Sequence, residues 1–375
     1  MNQKHKIAFV GNSLQTMCNF RLGVMAELAH LGHEVVVIAP KDSDITALKQ
    51  NQIRLIPVDI DCKGMNPFVD LQLVTTLKKI YKEEQFDFIF HYTIKPTIYG
   101  GWAARLAKTP QISVITGLGY TFIRKGWINR VAKCLYRFSL RGAKEVWFLN
   151  QDDKTLFVEE NIVAQFKTRL INGEGVNLEK YKSTIKSPDC PFSFLFIGRV
   201  LWDKGVGEFV EAAKVVKKQY PKVQFKILGQ LGANNPASVN SQQMSDWEQS
   251  GAIKYLGETS NVQPYIEQAH CIVLPSYREG VSRVLLEAAA MERPIIASNV
   301  PGCREIVVDG TNGFLCEPQN TSSLIACMMH MLSLSNEIRE VFGHNGRERV
   351  LQMYDEKIII QLYKDKLNEF LPEGC

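Results

Sequence analysis

Long uninterrupted apolar segments are missing from this sequence of 375 residues, of which 45% are hydrophobic. No apolar run of about 18 residues occurs, so no transmembrane helix is expected. The opening segment MNQKHKIAFVG leads straight into a predicted strand, without an apolar region of signal-peptide length. The length predicts two domains, each large enough for its own core.

Cysteine motifs and nucleotide-loop motifs are also missing. The nine cysteines are scattered and include no CxxC pair, which is typical of reduced thiols in a cytosolic protein and excludes a zinc or disulfide framework. No GxGxxG or Walker A loop occurs. The acid pair Asp152 and Asp153 opens a predicted helix, where acids stabilise the N-terminus, so it does not indicate a metal site. We therefore expect no metal and no cofactor.

The charge balance is modest, with 44 basic and 39 acidic residues and a formal net charge of +5. This excludes an acidic disordered protein and does not by itself indicate a nucleic-acid partner. We expect no nucleic acid to bind.

What the sequence does contain is a regular alternation of short β-rich runs and longer amphipathic runs. Such alternation predicts α/β domains with parallel sheets and helices on both faces. The pattern lapses around residues 171–191, where Gly and Pro cluster, so we predict an N-terminal domain over 1–171 and a C-terminal domain over 190–354. The last predicted helix, residues 356–370, is expected to cross back onto the first domain.

In parallel sheets, ligands bind at the carboxyl ends of the strands. His91 follows the predicted strand 86–90, and it is either an active-site residue or a hydrogen-bonded structural histidine. Lys95 in the same loop either meets a phosphate or acceptor or is solvated. Further acceptor-side candidates lie in the loop and helix start after the first strand and in the GLGYTF run, and they are Asn19, Gly117, Gly119 and Tyr120.

The segment from Arg124 to Lys144 carries seven basic residues and no acid. A basic helical face beside an apolar face with an aromatic anchor is typical of a helix that lies on an anionic membrane surface. The alternative is a core-packed helix with a solvated basic face. The membrane-contact candidates are Arg124, Lys125, Trp127, Arg130, Lys133 and Arg137.

The second half contains two cations and two carboxylates at predicted strand ends. Arg199 and Lys204 follow a strand in GRVLWDKG and suit a diphosphate without a metal, although two exposed basic residues in a turn are the alternative. Glu279 lies in the loop LPSYREG, and Glu287 lies in a helix predicted to start near Val281. This spacing suits the two ends of an extended ligand, with helix N–H groups between them for an anion. Two solvated acids on a surface helix are the alternative.

With these motifs, and with VPGCREIVVDGTNGFLCEP after them, nearly the whole chain resembles the retaining glycosyltransferases of family 4. Glu279 and Glu287 match the E-x7-E motif of that family. The runs NFRLGVMAELAHLGHEV, HYTIKPTIYGG and ITGLGYTF resemble the branch that builds capsule, O-antigen and glycan precursors on undecaprenyl diphosphate.

The resemblance implies the GT-B fold, with two Rossmann-like doubly wound domains facing a central cleft. It also implies a retaining hexosyltransferase that moves a hexose or N-acetylhexosamine from a UDP-sugar to an undecaprenyl-diphosphate-linked sugar. The N-terminal domain would bind the acceptor and the C-terminal domain the donor. The enzyme would be cytoplasmic and peripheral on the inner face of a bacterial cell membrane.

The resemblance also assigns roles to residues. Arg199 and Lys204 would hold the donor diphosphate, Glu279 the donor hexose and Glu287 the ribose. The backbone N–H groups of the helix start would bind phosphate or sugar, and His91 would lie near the reacting centre. The residues proposed for the helix start are Gly280, Val281 and Ser282, the last of which replaces the proline or other small residue of many relatives.

Two other functions fit the architecture. A nucleotide-sugar 2-epimerase would lack a lipid acceptor, which the basic run of residues 124–144 does not favour. A non-catalytic nucleotide-sugar-binding subunit is not favoured by the retention of both cations and both carboxylates. Transfer assays with UDP-sugars and a lipid-linked acceptor distinguish all three.

Overall fold

The structure is a computed structural model, and it describes residues 4–61, 64, 66–118, 127–183, 191–232, 235 and 237–371. The chain divides into two compact units. Unit 1 comprises Met1–Glu174 and Glu356–Cys375, and unit 2 comprises Gly175–Asp355. The C-terminal helix therefore belongs to unit 1.

Unit 1 contains one parallel sheet with helices packed against it. Its strands are β1 (Lys6–Val10), β2 (Glu34–Ala39), β3 (Arg54–Pro57), β4 (Phe88–Tyr92), β5 (Gln111–Ile115), β6 (Glu145–Phe148) and β7 (Thr168–Leu170). Its α-helices are α1 (Leu14–His30), α2 (Thr46–Gln50), α3 (Pro67–Glu84), α4 (Gly101–Ala107), α5 (Trp127–Leu140), α6 (Gln151–Glu159) and α13 (Glu356–Phe370). A π-helix over Pro96–Gly100 precedes α4, and a 3-10 helix over Gln165–Lys167 precedes β7.

Unit 2 repeats this plan. Its strands are β8 (Ser193–Ile197), β9 (Gln224–Leu228), β10 (Lys254–Tyr255), β11 (Cys271–Leu274), β12 (Ile295–Ser298) and β13 (Gly313–Cys316). Its α-helices are α7 (Val206–Gln219), α8 (Ser241–Gln249), α9 (Gln263–Gln268), α10 (Arg283–Ala290), α11 (Thr321–Ser333) and α12 (Asn336–Met353). A 3-10 helix over Trp202–Lys204 joins β8 to α7.

The central strands are apolar along their whole length because helices cover both faces of each sheet. In β4, β8 and β11 every residue is buried. The amphipathic helices bury one stripe against these strands. In α7, for example, Val206, Phe209, Val210, Ala213 and Val216 enter the core. The predicted parallel α/β architecture is therefore confirmed.

Strand order gives each sheet a switch point. The order is β3-β2-β1-β4-β5-β6-β7 in unit 1 and β10-β9-β8-β11-β12-β13 in unit 2. In unit 1, β2 and β3 are added on one side of β1, and β4 and the later strands are added on its other side. In unit 2, β9 and β10 lie on one side of β8, and β11 and the later strands lie on its other side. At each switch point, the loops that follow the two central strands run in opposite directions. They leave a crevice between them at the carboxyl edge of the sheet, after β1 and β4 in unit 1 and after β8 and β11 in unit 2.

Candidate functional site

The switch point of unit 2 brings the predicted cations and the first predicted carboxylate into two neighbouring loops. The loop after β8 carries Arg199 and Lys204, and the loop after β11 carries Glu279. Strands β8 and β11 are paired in parallel, with Cys271 opposite Phe194. Because both loops leave the same edge of the sheet, residues 75 positions apart in the sequence become neighbours.

Gly205 allows these two loops to pack tightly. Its φ is +73°, and a Cβ built on it would lie 2.0 Å from the carbonyl oxygen of Pro275. The loops are also joined by hydrogen bonds to the Asp203 carbonyl, from the Tyr277 N–H at 2.9 Å and from the Ser276 hydroxyl at 3.3 Å. A glycine after Lys204 is therefore required both by the backbone conformation and by the approach of the second loop.

Lys204 and Glu279 form an ion pair across the two loops. Their side chains are 20% and 12% exposed, so the pair is only partly screened by solvent. The resemblance assigns Lys204 to the donor diphosphate and Glu279 to the donor sugar. In the structure they contact one another, so a diphosphate bound as the resemblance implies would compete with Glu279 for the Lys204 ammonium group.

Arg199 is the second cation of the site. It is exposed, as the alternative of a basic residue in a turn had it, and within the described parts of the chain its side chain has no ion-pair partner. A guanidinium group offers a planar set of N–H donors that matches phosphate oxygens. Arg199 is thus placed to bind an anion without first breaking an internal ion pair.

The loop after β12 supports the Glu279 loop. The Glu279 N–H donates to the Pro301 carbonyl at 3.1 Å, and the Ser282 N–H donates to the Gly302 carbonyl at 3.0 Å. Gly302 has a φ of +82°, and a Cβ there would lie 2.6 Å from the backbone and Cβ of Glu279. These positioning residues were not predicted from the sequence, although a Pro-Gly pair in the loop after a buried strand was a usable signal.

These hydrogen bonds correct two predictions for the helix start. Helix α10 begins at Arg283, two residues after the predicted start, with Ser282 as its N-cap residue. The Ser282 N–H donates to the Gly302 carbonyl, so it is not free to bind a donor as predicted. The N-terminal end of α10 still points to the carboxyl edge, where a helix dipole favours an anion.

Glu287 lies in α10 and is nearly buried. Its carboxylate accepts a hydrogen bond from Arg283 Nε at 2.9 Å. Tyr181, a buried residue from the segment before β8, also approaches this carboxylate. Burial, followed by the negative charge of Glu287, raises the pKa of the Tyr181 phenol. Arg283 and Tyr181 therefore fix the position of Glu287, and neither was predicted from the sequence.

In unit 1 the predicted acceptor-side residues are spread over several elements. Asn19 is exposed on α1, and Gly117 follows β5 with a φ of +129°. Lys95 is mostly buried and forms an ion pair with Asp70 at 2.7 Å, so it is not the solvated lysine considered as the alternative. Gly119 and Tyr120 lie outside the described residues. Whether these residues contact an acceptor stays a prediction.

His91 lies inside β4 and not in the loop after it, as the sequence had suggested. The imidazole is fully buried, and its Nε2 is 3.0 Å from the Tyr81 hydroxyl. A Cβ on Gly100 would lie 2.6 Å from the ring. Burial lowers the pKa of His91 to about 3. The structure thus favours the structural role that the sequence left open over a role near the reacting centre.

The basic helix α5 is built differently from the two faces predicted. Trp127 is 71% exposed, and Val131 and Phe138 are also exposed, whereas Leu135 packs against the core. Lys133 forms an ion pair with Glu160 at 2.8 Å, and Arg137 donates to the Glu160 and Asn161 carbonyls. Arg130 is exposed, while Arg124 and Lys125 lie outside the described residues. The predicted basic face is therefore partly engaged within the fold.

No helix in the described part of the chain is long and apolar enough to cross a membrane. The same residues contain no group of three or more His, Cys, Asp and Glu side chains arranged to hold a metal ion. Metal-independent chemistry stays a prediction.

Comparison with known families gives two matches. Residues 6–150 match the family described as glycosyl transferase 4-like, and residues 191–333 match the family described as glycosyl transferases group 1. The two matched regions fall in units 1 and 2 respectively.

Two characterised relatives are similar over most of their length. One is the N,N'-diacetylbacillosaminyl-diphospho-undecaprenol alpha-1,3-N-acetylgalactosaminyltransferase of Campylobacter jejuni, which is 29% identical over 96% of this chain and 97% of that protein. The other is the UDP-Gal:alpha-D-GlcNAc-diphosphoundecaprenol alpha-1,3-galactosyltransferase of Escherichia coli, which is 24% identical over 86% of this chain and 85% of that protein. Both are transferases, which supports this activity over an epimerase or a non-catalytic subunit.

Among solved structures, Anabaena Alr3699/HepE in complex with UDP-glucose is similar in fold. Its TM-score is 0.80 at 20% identity, and the match covers 97% of this chain and 100% of that one. The predicted GT-B fold class is therefore confirmed.

Proposed function

This chain belongs to the glycosyltransferases of the group 1 and 4-like families, and on that premise we propose which sugars it joins. It transfers a hexose or N-acetylhexosamine from a UDP-sugar to a sugar on undecaprenyl diphosphate, during surface polysaccharide or glycan assembly. The observation that carries this proposal is the convergence of Arg199, Lys204 and Glu279 at the switch point of unit 2. The names of the Campylobacter and Escherichia relatives supply the class of acceptor.

The donor site works by electrostatics in this proposal. Arg199 and Lys204 bind the diphosphate and stabilise the negative charge that develops on the departing UDP. Displacement from Lys204 frees the Glu279 carboxylate to accept hydrogen bonds from the hexose hydroxyls. Glu287, held by Arg283, accepts from the ribose.

The reaction retains the configuration of the donor sugar. The acceptor hydroxyl attacks the anomeric carbon from the face that UDP leaves, while the bond from that carbon to the phosphate oxygen breaks. The acceptor proton passes to the departing phosphate oxygen, so no protein nucleophile is needed. His91, buried beneath the π-helix, takes no part in proton transfer.

The enzyme is peripheral on the inner face of the cell membrane in this proposal. Trp127, Val131 and Arg130 on α5 form the exposed basic and apolar surface that supports it. Anionic lipids attract basic side chains that lie near the membrane surface. Each such lysine or arginine contributes about 1 kcal/mol to membrane binding.

The test is an assay of the purified protein with UDP-Gal, UDP-GalNAc, UDP-Glc and UDP-GlcNAc. The acceptor is a short-prenyl diphosphate carrying N-acetylglucosamine or diacetylbacillosamine. Mass spectrometry detects the disaccharide product, and its anomeric configuration is read by NMR. An α-linked product from one donor supports the proposal. UDP binding without transfer from any of the pairs would overturn it.

A further inference from the structure

An exposed apolar patch lies on the first turn of α3, outside the site described above. It consists of Phe68, Val69 and Leu71, and Phe68 is 82% exposed. We call these residues the α3 patch. Exposed apolar side chains that cluster on one helical turn mark a contact surface, whereas apolar residues scattered singly over a surface do not.

The negative charge of this helical turn is neutralised by a lysine of the same unit. Asp70, the acid of the first turn, forms an ion pair with Lys95 at 2.7 Å and accepts a hydrogen bond from the Tyr99 hydroxyl at 2.7 Å. Both partners belong to the segment after β4. The α3 patch therefore presents apolar side chains without a free carboxylate, which suits an apolar phase and not a basic protein surface.

The α3 patch and α5 lie on the same face of the unit 1 sheet. Asp70 of α3 bonds to Tyr99, and Ser139 of α5 donates to the Thr97 carbonyl, so both helices pack on the π-helix over Pro96–Gly100. Each helix runs antiparallel to the strands it connects. Both N-terminal ends therefore point to the carboxyl edge of the sheet.

The N-terminal ends of α3 and α5 also lie at the same level along the direction of the strands. Ser139 lies beside Gly101, whose carbonyl accepts from Gln111 at the beginning of β5. Trp127 is twelve residues earlier in α5, about 18 Å further along the axis. The five residues of β5 span about 16 Å, so Trp127 is level with the carboxyl edge. The segment around Lys95 places the α3 patch at that same edge.

We propose that the α3 patch is a second bilayer contact, inserting Phe68 and Leu71 among lipid acyl chains while α5 binds anionic headgroups. Two contacts on one edge fix the orientation of unit 1 on the bilayer, which a single helix cannot do. The carboxyl ends of β1 and β4, where an acceptor is expected, then face the lipid. This inference rests on the proposed function only in its choice of a lipid-linked acceptor.

The chain offers a matched control in Phe166. It is 85% exposed, but it lies in the 3-10 helix just before β7, at the amino edge of the same sheet. Lys167 beside it donates to the carbonyls of Arg141 and Ala143 after the C-terminal end of α5, which confirms that edge. Phe166→Ser therefore removes an equally exposed phenyl ring from the side opposite the α3 patch.

The experiment is flotation of the full chain with vesicles of phosphatidylglycerol and phosphatidylcholine. We expect Phe68→Ser/Leu71→Ser to lower the partition coefficient about tenfold at both low and high salt, because the lost contact is apolar. Arg130→Ala should lower it only at low salt, where charges are poorly screened. Phe166→Ser should float like the wild type. Equal flotation of Phe68→Ser/Leu71→Ser and Phe166→Ser would overturn the proposal.

Hydrogen exchange of the wild-type chain gives a second measurement that does not depend on the variant folding. Peptides over residues 67–71 should become protected when vesicles are added. Lack of protection by vesicles, or protection that rises with protein concentration without lipid, would overturn the proposal, the latter in favour of self-association.

The enzymatic readout separates this inference from the proposed function. Transfer to a water-soluble short-prenyl acceptor should be unchanged in Phe68→Ser/Leu71→Ser, and transfer to the full-length acceptor in vesicles should fall. A protein that transfers no sugar at all, yet shows the salt-independent loss of flotation, would refute the proposed function and leave the bilayer contact standing. Unchanged transfer in vesicles would contradict the role given to the contact.

Discussion

Lys204 and Glu279 show how a single ion pair links two parts of one proposed ligand site. Each side chain neutralises the other across two loops, and each is proposed to bind a different part of the donor. If both roles hold, binding of the diphosphate to Lys204 would make the Glu279 carboxylate available for the sugar. In that order of events, the site would bind an intact nucleotide sugar in preference to a free hexose.

The first prediction concerns this pair. Lys204→Ala and Glu279→Ala should each lower kcat/KM at least tenfold, which corresponds to about 1.4 kcal/mol of transition-state stabilisation. The double variant should lose less than the sum, because residues in contact are energetically coupled. UDP release at varied donor concentration measures both effects.

Glu287→Ala is the comparison for this prediction, since Glu287 is proposed to hold the ribose and not the reacting sugar. It should raise KM for the donor more than it lowers kcat. Near-wild-type turnover in Lys204→Ala or Glu279→Ala would remove that residue from the site.

The second prediction follows from the buried His91. Its pKa in the folded chain is lowered to about 3, so the unfolded chain binds the proton more readily as the pH falls below about 6.5. The stability that the neutral histidine contributes is therefore present above that pH and lost on acidification, by up to about 1.4 kcal/mol per pH unit. Urea unfolding at pH 7, 6 and 5 measures this slope.

His91→Gln removes the titrating group and keeps a side chain that can bond to Tyr81. It should be less stable than the wild type at pH 7 and should show a smaller loss between pH 7 and 5. An unchanged slope in His91→Gln would contradict the assignment of a neutral buried imidazole. A pH–rate limb that disappears with this variant would instead support a role in proton transfer.

Among the helices, α5 combines structural and surface functions in one short element. Residues of one face, such as Tyr136 and Leu140, enter the core, and Trp127 and Val131 on another face are exposed. The basic residues divide in the same way. Arg137 binds carbonyls at the end of α6, and Arg130 is exposed.

The third prediction separates these two functions. Arg137→Ala should destabilise the chain by about 1 kcal/mol, because it leaves the Glu160 and Asn161 carbonyls without their donor. Arg130→Ala should leave the melting temperature unchanged and weaken binding to anionic vesicles by about 1 kcal/mol, roughly fivefold. Thermal unfolding and flotation at low salt measure the two quantities. Equal effects of both substitutions in either assay would show that α5 does not divide its basic residues in this way.

Across the entire chain, unit 1 is completed only by its last helix. The ring of Tyr363 in α13 is fully buried, with its centroid 4.9 Å from those of Phe90 and Trp147. Its hydroxyl lies 2.8 Å from that of Tyr92. The face of the unit 1 sheet opposite α3 and α5 therefore depends on residues from the far end of the sequence.

The fourth prediction tests this dependence. Tyr363→Ala should cost about 3–5 kcal/mol, because it removes a large buried ring and leaves the Tyr92 hydroxyl without its partner. Amide hydrogen exchange should accelerate in β1, β4 and β6, because residues of these strands line the cavity that the substitution creates. Ile358→Ala on an exposed part of the same helix is the control and should cost little. Comparable acceleration in both variants would contradict a specific role for the Tyr363 ring.

Local pattern alone was sufficient for the α/β class and for the two parallel sheets. Runs such as VVVIA and SFLFI are buried on both sides, and only a covered parallel sheet accommodates them. The sequence also indicated Arg199, Lys204 and Glu279, because charged residues in the loops that follow such strands lie at the carboxyl edge of a sheet. It did not reveal the last strand of each sheet, β7 and β13. Strand β7 has only three residues and none of them is buried, so it lacks the apolar run that marks the central strands.

Tertiary structure decided the rest, because it depends on which segments become neighbours. The order of strands places the loops of Lys204 and Glu279 side by side. The Gly302 carbonyl accepts a hydrogen bond from the Ser282 N–H, which is then not available to a ligand. Strand β4 lies two residues later than predicted, at Phe88–Tyr92 and not 86–90, and it therefore includes the buried His91. Packing of α5 against the π-helix decides which of its residues are buried and which are exposed. Periodicity predicts that a residue lies on a face, but only the packed neighbours determine what that face contacts.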